Sequence, residues 1–261
     1  MRTVTTANQV ALITGAGRGI GRIIALRLAR DGAAVAVAGP PSPELAQTAA
    51  DIESLAQRAL AVTVDVRDED QIIAMIDKAR QAFGRIDLLV NNAAIIGPTA
   101  PVSNVSRQDW DDVLAVNLTG AFLCAKAVLP DMMARRAGKI INIASIAGKM
   151  AYALRSPYAV SKWGMLGLTL TLAKEMGPYN IQVNAICPGP VRGERMERII
   201  RQRAAELGQT PEKVERTYTE AMALKRFVEP EQVADAVAYL ASPAGDNITG
   251  AILDVTAGYG L

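Results

Sequence analysis

The sequence predicts one α/β domain built on a doubly wound parallel sheet. Short runs of Val, Ile, Leu and Ala alternate along the 261 residues with longer segments of helical period. Runs that are apolar almost without interruption are typical of strands covered on both faces, and such strands form parallel sheets with helices on either side. No repeat, low-complexity tract or linker divides the chain, so we expect a single domain over residues 1–261.

Each element follows from this alternation. Strands are predicted, in chain order, at Val10–Thr14, Ala34–Ala38, Leu60–Val64, Ile86–Asn91, Lys139–Ala144, Ile181–Ile186 and Ala251–Val255. Between the strands, the helical period of the apolar residues predicts helices at Ile20–Arg30, Ser42–Gln57, Asp68–Phe83, Ser106–Ala134, Pro157–Gly177 and Glu231–Ala241.

Only the segment 192–229 interrupts the pattern. It follows the turn Pro188–Pro190 and carries arginines at helical spacing, among them Arg198 and Arg201. Because ligands bind beyond the strand ends of open α/β sheets, we expect this segment to be a helical flap over a cleft. Glutamates balance the arginines, so a solvated surface helix is the alternative interpretation, and the two are compatible.

Composition excludes several classes of function. The formal net charge is +2 with interspersed signs, which gives no argument for a nucleic-acid or membrane partner. The chain has no histidine and only two cysteines, Cys124 and Cys187, which are far apart in apolar settings. This excludes a zinc site and a disulfide framework, and indicates core thiols in a reducing compartment.

The start of the sequence, Met1–Gln9, is polar and lacks the apolar core of a signal peptide. No uninterrupted apolar run reaches the length of a membrane span. We therefore expect a soluble cytoplasmic protein.

A glycine-rich loop follows the first predicted strand. Glycines stand at positions 15, 17, 19 and 21, where the chain turns from strand to helix. Backbone N–H groups and the helix dipole at such a turn can receive a pyrophosphate. The spacing Gly15-x3-Gly19-x-Gly21 is not the strict G-x-G-x-x-G fingerprint, and a plain tight turn is the alternative interpretation.

The second strand bears on nucleotide preference. It runs into Gly39-Pro40-Pro41, with neither an acid for the ribose hydroxyls nor a base. Without a carboxylate to repel a 2′-phosphate, and with Arg18 in the glycine loop able to pair with one, the sequence favours NADP(H) over NAD(H). Asp65, after the third strand, is placed to contact adenine or, equally, to cap a helix.

A proton-transfer group is predicted from four polar residues. Tyr158 and Lys162 are four apart on a predicted helix and therefore share a face. Ser145 ends a predicted strand, and Asn117 lies within a predicted helix. Each is ordinary alone, but together, behind a phosphate-binding loop and in a chain without histidine, they predict acid–base chemistry on a phenol.

The energetics of that phenol are reasonable. A free tyrosine titrates near ~10, so work at neutral pH asks for a shift of about 3 units, or about 4 kcal/mol. An ammonium about 5 Å away, at an effective dielectric near 20, supplies roughly 3 kcal/mol. We therefore expect Lys162 to lower the pKa of Tyr158, Ser145 to hold the substrate oxygen, and Asn117 to anchor a water leading from Lys162.

From about residue 8 to 258 the chain resembles the classical short-chain dehydrogenase/reductase family. The motifs that carry the resemblance occur in the family's order: Thr14-Gly15-x3-Gly19-x-Gly21, Asn91-Asn-Ala-Ala94, Asn117, Ser145, Tyr158-x3-Lys162 and Pro188-Gly189.

The resemblance implies a Rossmann-type sheet of seven strands in the order 3-2-1-4-5-6-7, a nicotinamide cofactor and the catalytic tetrad Asn117, Ser145, Tyr158 and Lys162. It implies that Lys162 also holds the nicotinamide ribose. The implied cofactor contacts are completed by Gly15, Arg18, Gly19, Ile20, Gly21, Asp65, Val66, Asn91, Ala93, Pro188, Gly189 and Val191. Asn91 would stabilise the central strand, Ala93 would approach the ribose, and the Val191 backbone would meet the carboxamide.

Two positions depart from the family pattern. Gly193 stands where such enzymes often place a threonine that holds the cofactor, so carboxamide binding would depend on backbone and flap residues. Thr256-Ala-Gly258 replaces a commoner Asp-Gly-Gly, which we expect to be harmless.

These features predict an NAD(P)-dependent oxidoreductase that interconverts a secondary alcohol and a ketone. A 3-oxoacyl-thioester reductase, whose flap arginines would meet an acidic carrier protein, is an alternative, and a non-catalytic nucleotide-binding regulator is another. The candidate substrate pocket is mostly apolar with one cation, which suits an apolar ketone or a small anionic polyol. Its predicted residues are Ile95, Ile96, Ala147, Met150, Leu154, Arg155 and Met196.

Surplus apolar positions on two helices, together with the resemblance, predict that the protein is a homo-oligomer, specifically a tetramer.

Overall fold

A computed structural model describes residues 5–261, the side chain of Glu206 excepted, so the polar start Met1–Gln9 lies partly outside the described residues. Seven parallel strands form one sheet: β1 (Val10–Thr14), β2 (Ala34–Gly39), β3 (Ala59–Thr63), β4 (Leu88–Asn91), β5 (Gly138–Ile143), β6 (Ile181–Pro188) and β7 (Ile252–Val255). Their order across the sheet is β3-β2-β1-β4-β5-β6-β7. The predicted fold class and strand order are confirmed.

The helices lie between the strands in the chain. They are α1 (Gly19–Arg30), α2 (Pro43–Glu53), α3 (Glu69–Phe83), α4 (Arg107–Leu114), α5 (Gly120–Arg135), α6 (Ser156–Met176), α7 (Glu194–Leu207), α8 (Pro211–Glu220) and α9 (Pro230–Ala241). Local signals fix several ends: the Ser42 side chain accepts from the N–H of Leu45 at the start of α2, and Asp68 accepts from the N–H of Gln71 at the start of α3.

Two layers of helices cover the sheet, which explains why its strands are apolar throughout. Ile13 of β1 faces the cluster that α1, α2 and α9 build on one side, whereas its neighbour Leu12 faces the cluster that α3 and α5 build on the other. Both side chains are fully buried. Successive strand residues point to opposite faces, so two covered faces require an unbroken apolar run.

The predicted helix Ser106–Ala134 is continuous but not regular. Between α4 and α5, residues Ala115–Thr119 form a turn of π-helix. By length and composition alone, the stretch Arg107–Arg135 is long and apolar enough to cross a membrane, but half of its most apolar part is buried inside the protein, as in the core helix of a soluble domain. It contacts α3, α6, β4 and β5, so its apolar face covers the sheet.

The segment 192–229 contains α7 and α8, which pack on each other around a small core of their own. Met196, Ile200 and Ala204 recur every fourth residue along α7 and meet Val214 and Phe227. We call residues 192–229 the flap. An ion pair between Arg192 and Glu229 joins its two ends at 3.0 Å.

Candidate active site

The site lies at the carboxyl ends of the central strands. β1 and β4 are neighbours in the sheet, yet the chain leaves them in opposite directions, β1 toward β2 and β4 toward β5. In doubly wound sheets this reversal opens a crevice in which ligands bind. The loops that follow β1, β4, β5 and β6 carry the predicted residues into this crevice.

The glycine loop after β1 has the shape that a pyrophosphate needs. Gly15 and Gly19 have φ values of +66° and +56°, which favour glycine. A Cβ on Gly21 would lie 2.3 Å from the Gly15 carbonyl oxygen, whereas a Cβ on Gly19 would meet nothing within 4 Å. No acidic residue and no side-chain cap occupies the start of α1. The free N–H groups beside the open face of Gly19 therefore fit a dinucleotide phosphate.

Asn92 and Thr14 hold this loop against the end of β4, a role that the sequence did not reveal. The Asn92 amide donates to the carbonyls of Thr14 (2.9 Å) and Gly15 (3.0 Å). In return, the Thr14 hydroxyl accepts from the N–H groups of Asn92 and Ala93, both at 3.1 Å. The motif Asn91-Asn-Ala-Ala94 was the available signal, but its second asparagine acquires a partner only when β1 and β4 pair.

Asn91 lies on β4 and supports the sheet. Its amide donates to Asn142 of β5 at 2.9 Å, and Asn142 in turn donates to the Thr169 hydroxyl of α6 at 2.9 Å. All three side chains are buried. The chain of bonds links β4, β5 and α6, as expected for a residue that stabilises the central strand.

Asn117 lies in the π-helical turn, fully buried. Its amide oxygen accepts from the Ile95 N–H at 2.8 Å, and its nitrogen donates to the Ile95 carbonyl (2.9 Å) and the Ser161 hydroxyl (3.0 Å). The Ser161 hydroxyl donates onward to the Tyr158 carbonyl at 2.7 Å. Asn117 therefore connects the loop after β4 to the helix that carries Tyr158, and Ser161 is a member of this network that the sequence analysis missed.

Tyr158 and Lys162 lie one turn apart near the start of α6, as their spacing predicts. The Lys162 ammonium nitrogen is 5.8 Å from the centre of the Tyr158 ring and donates to the Ile143 carbonyl at 2.8 Å. Ser145 follows β5, and its hydroxyl accepts from the Ala147 N–H at 3.1 Å. The structure brings Tyr158, Lys162, Ser145 and, through Ser161, Asn117 into one group.

The electrostatics of this group differ from the expectation. Burial raises the pKa of the Tyr158 phenol; a hydrogen bond to Ser145 and the charges of Arg195 and Arg155 oppose the rise. Lys162 is 1% exposed, and burial lowers its pKa to about 7. The expectation that Lys162 brings the phenol to neutrality is not met, because desolvation acts on both groups and the ammonium is turned toward a backbone carbonyl.

Arg195 of the flap reaches across the crevice. Its guanidinium donates to the Ala94 carbonyl at 3.3 Å. Its charge opposes the rise that burial causes in the pKa of Tyr158 and adds to the fall that burial causes in the pKa of Lys162. The sequence analysis did not single out this residue, because nothing in the local pattern shows that α7 folds back over the loop after β4.

The loop after β6 presents backbone groups. A Cβ on Gly189 would lie 2.8 Å from the Thr256 Cα, so this glycine permits close approach to the chain after β7. Val191 forms a parallel bridge with Val228: the Val228 N–H donates to the Pro190 carbonyl, and the Arg192 N–H donates to the Val228 carbonyl. The N–H and the carbonyl of Val191 itself therefore point away from Val228. Gly193 has φ +137°, a backbone that a threonine would adopt only under strain.

The remaining predicted cofactor residues lie around the first strands. Arg18 is exposed near Glu44 of α2; a backbone N–H and the Ser42 hydroxyl lower the pKa of that glutamate, and the Arg18 charge adds to the effect. The Asp65 carboxylate pairs with the Arg67 guanidinium at 2.6 Å. Asp68, not Asp65, caps α3, so the capping interpretation of Asp65 is wrong.

The predicted substrate residues separate into two sets. A pocket of about 300 Å³ lies between the loop after β4, the start of α6 and α7; it is lined by Ile96, Gly97, Pro98, Thr99, Arg155, Arg198, Ile199 and Gln202. Of the predicted set, Ile96 and Arg155 line it. Met196 belongs to the core of the flap, because it lies on the buried face of α7, and Ala147 is buried in the turn after Ser145. Ile95 and Leu154 are exposed, and Met150 lies beside Gly260.

Comparison with known proteins agrees with this architecture. Residues 9–204 match the family model described as short chain dehydrogenase. A 3-oxoacyl-[acyl-carrier-protein] reductase of Thermotoga maritima is 37% identical over 251 residues, which cover 96% of this chain and 97% of the relative.

Two solved structures are similar over nearly their whole length. NAD⁺-bound xylitol dehydrogenase superposes with a TM-score of 0.92 at 34% identity, covering 97% of this chain and 99% of that one. A single-residue variant of actinorhodin polyketide ketoreductase with NADPH has a TM-score of 0.93 at 34% identity, covering 100% of this chain and 99% of that one.

Proposed function

The chain belongs to the short-chain dehydrogenase/reductase family of oxidoreductases, and from this premise we propose that it interconverts a secondary alcohol and a ketone with a nicotinamide dinucleotide. One observation carries the proposal: Tyr158, Lys162 and Ser145 meet in the crevice beside an open glycine loop. A protein that only bound a nucleotide would have no use for a phenol and a hydroxyl placed together there.

The cofactor, when bound, would accept or supply the hydride. Its phosphates fit the N–H groups at the start of α1, and the free backbone groups of Val191 suit a carboxamide. Gly15, Gly19 and Gly21 would line its path, and Asn92 would keep the glycine loop in place. Asp65, Val66 and Ala93 stand at the ends of β3 and β4, where the nucleoside portions would lie.

The protein's own part is to position the substrate oxygen and to move a proton. Tyr158 would donate its phenolic proton to a ketone oxygen, or take the alcohol proton in the reverse direction. Ser145, which acts to lower the pKa of the same phenol against the rise that burial causes, would hold that oxygen in place. Lys162 would lie against the nicotinamide ribose, and Asn117 would act as a positioning residue, because its amide is engaged by Ile95 and Ser161.

We propose NADP(H) as the preferred dinucleotide. β2 ends in Gly39 and Pro40, which present no carboxylate, and Arg18 lies exposed beside the start of α2. A guanidinium can form two hydrogen bonds to a phosphate. The solved relatives do not decide the matter, because one holds NAD⁺ and the other NADPH at the same identity.

The direct test is consumption of NADPH and NADH with a panel of ketones, and their formation with the matching alcohols. Sugars, carboxylated or sulfonated alcohols, and aryl ketones should be represented. Turnover of at least one ketone, faster with NADPH than with NADH, is expected. Cofactor binding without any turnover would support the non-catalytic regulator instead.

A second candidate is a 3-oxoacyl-thioester reductase, supported by the likeness to the Thermotoga maritima reductase over almost the whole chain. The flap would then meet an acidic carrier protein with arginines such as Arg198 and Arg203, both exposed. An acetoacetyl thioester of carrier protein that is turned over far faster than the free ketones would select this candidate.

We also propose that the protein assembles as a homotetramer. α6 exposes an apolar stripe formed by Val160, Trp163 and Leu170, and Phe122 of α5 is exposed as well. A second copy of the same chain is the partner proposed for this face.

A further inference from the structure

The pocket beside the proposed catalytic group has two positively charged walls. Arg155 precedes α6 on one side, and Arg198 stands on α7 on the other. Within residues 5–261, the side chain of Glu206 apart, no carboxylate lies within ion-pair distance of either guanidinium. Glu194, one turn before Arg198 on the same helix, does not pair with it.

Several other arginines of the flap have partners. Arg192 pairs with Glu229 at 3.0 Å, Arg201 lies 3.9 Å from Glu197, and Arg203 reaches the Tyr218 hydroxyl at 3.4 Å. Among the described residues, the side chains of Arg216 and Arg226 of the flap also have no partner, but of the unpaired flap arginines only Arg198 lines the pocket.

One face of α7 is turned into the crevice. Arg195 and Arg198 are three apart and Gln202 follows four residues later, so the three side chains share a face. Arg195 contacts the Ala94 carbonyl across the crevice, and Arg198 and Gln202 line the pocket. The charged face of the flap thus lies over the pocket.

Arg155 is held by its surroundings on the opposite wall. The preceding residue, Leu154, has φ +65°, a left-handed backbone that is strained for a leucine. Its carbonyl accepts from the Ala100 N–H at 3.0 Å, and the Arg155 carbonyl accepts from Ala159 at 2.9 Å. These bonds fix the start of α6 against the loop after β4, which forms the third wall.

Arg155 also lies close to the proposed reacting group. It is the residue before α6 and precedes Tyr158 by three positions, and its charge acts to lower the pKa of the phenol against the rise that burial causes. The pocket that Arg155 lines is therefore placed to receive the far end of a small molecule whose oxygen meets Tyr158.

We propose that the substrate carries a carboxylate or similar oxyanion, which Arg155 and Arg198 bind while the oxygen of its ketone or alcohol group meets Tyr158. The inference rests on the proposed function and narrows its substrate class to oxo acids and hydroxy acids. A guanidinium matches two carboxylate oxygens, and two unpaired cations facing one pocket attract an anion before contact.

The experiment compares oxo acids of increasing length with their methyl esters as substrates of the full-length protein. The acid and the ester of each pair have the same reacting ketone and differ in charge. The acid-to-ester ratio of kcat/KM therefore reports on binding in the pocket lined by Arg155 and Arg198, because any effect on proton transfer is common to both substrates. For the best length we expect the acid to be favoured by about tenfold or more, because a charged hydrogen bond contributes more than a neutral one.

The variants Arg155→Gln and Arg198→Gln should each lower that ratio by about tenfold, mainly through KM of the acid. Arg201→Gln, on the same helix but paired with Glu197, is the matched control and should keep the ratio. In the wild type, added salt should reduce the ratio as it screens the guanidinium groups, which gives a readout that needs no variant.

The outcomes separate the two proposals. This inference is contradicted if acids and esters are turned over with equal kcat/KM. It is also contradicted if the acid-to-ester ratio stays the same on addition of salt and in both arginine variants. Either result leaves the proposed function standing. No turnover of any ketone or alcohol with either cofactor contradicts the proposed function, and this inference with it.

Discussion

Tyr158 and Lys162 are the residues on which the proposed chemistry depends; Lys162 is buried and Tyr158 is half-buried. Burial raises the pKa of the phenol and lowers that of the amine. The opposing shifts mean that near neutral pH the phenol keeps its proton while Lys162 is poised between its two forms. Under the proposed function, a protonated phenol is suited to donate to a ketone oxygen.

Replacing Tyr158 with Phe removes this proton and little else, because the ring remains. With general acid catalysis worth roughly 10²–10⁴ in rate, kcat for ketone reduction should fall by at least a hundredfold. Thermal unfolding and cofactor binding, followed by protein fluorescence, should stay near the wild-type values. A variant that keeps more than about a tenth of the rate would show that another group moves the proton.

Lys162 gives a prediction about stability. Its pKa is about 7 in the folded protein because of burial, whereas an unfolded lysine titrates near ~10.4. Between these values the unfolded chain holds a proton that the folded one lacks, so this residue makes the free energy of unfolding rise with pH, by at most about 1.4 kcal/mol per pH unit. Below about pH 7 the contribution is constant.

The prediction is checked by measuring the free energy of unfolding of wild type and Lys162→Met in denaturant at several values between about pH 7 and 10. The variant should be the more stable partner at the lower end of that range and should lose that advantage as the pH rises. Lys174→Met, an exposed lysine on the same helix, is the control and should show no such trend. Parallel pH profiles for wild type and Lys162→Met would mean that the amine stays protonated in the folded protein.

At the scale of elements, the loops after β1 and β2 decide which nucleotide fits. Gly39 ends β2, and a Cβ there would meet the Gly15 Cα and the Leu45 side chain at 3.8 Å, an ordinary contact. An aspartate can therefore be placed at this position without moving the glycine loop. Its carboxylate would repel a 2′-phosphate and accept from the ribose hydroxyls.

Gly39→Asp should swing the ratio of kcat/KM for NADPH over NADH toward NADH by roughly 1–3 kcal/mol. Gly39→Ala, which adds the Cβ without the charge, should leave the ratio close to that of the wild type. Side-by-side kinetics with both cofactors make the measurement. A wild-type preference for NADH above about tenfold would contradict the proposal that the absence of a carboxylate at the end of β2 favours NADP(H).

The elements were predictable to different degrees, for physical reasons. The strands and the glycine loop could be predicted because apolar runs and the backbone freedom of glycine act locally. Gly15 and Gly19 do have positive φ. The roles of Asn92, Ser161 and Arg195 could not be predicted in this way. Their partners lie in β1, in the π-helical turn and in the loop after β4, and only the folded sheet brings these segments together. The phenol pKa was misjudged because burial, unlike sequence spacing, is a property of the whole site.

For the whole molecule, the surface of α6 argues for assembly. Val160, Trp163 and Leu170 recur at helical spacing, with Trp163 53% exposed. Exposed Gly167 lies between Trp163 and Leu170 on the same face, and so leaves room for a second helix to approach. Of the surplus apolar positions on two helices from which the sequence predicted a homo-oligomer, Phe122 and Leu170 are exposed. Leu166 is instead buried, because α6 turns that side toward β6, and Leu118 and Leu168 are half-buried against the core.

Placing a charge on that stripe should break the assembly. Trp163→Glu would set a carboxylate in the centre of an apolar interface, where an unpaired charge is strongly unfavourable, so the variant should sediment as a smaller species than wild type at micromolar concentration. Ile73→Glu changes a similarly exposed apolar residue on α3 and should leave the sedimentation coefficient unchanged. Because α6 also carries Tyr158 and Lys162, loss of the interface should lower the activity or thermal stability of Trp163→Glu as well. A wild-type protein that is monomeric at these concentrations, or a Trp163→Glu variant that keeps the wild-type size, would mean that this stripe is not where copies of the chain meet.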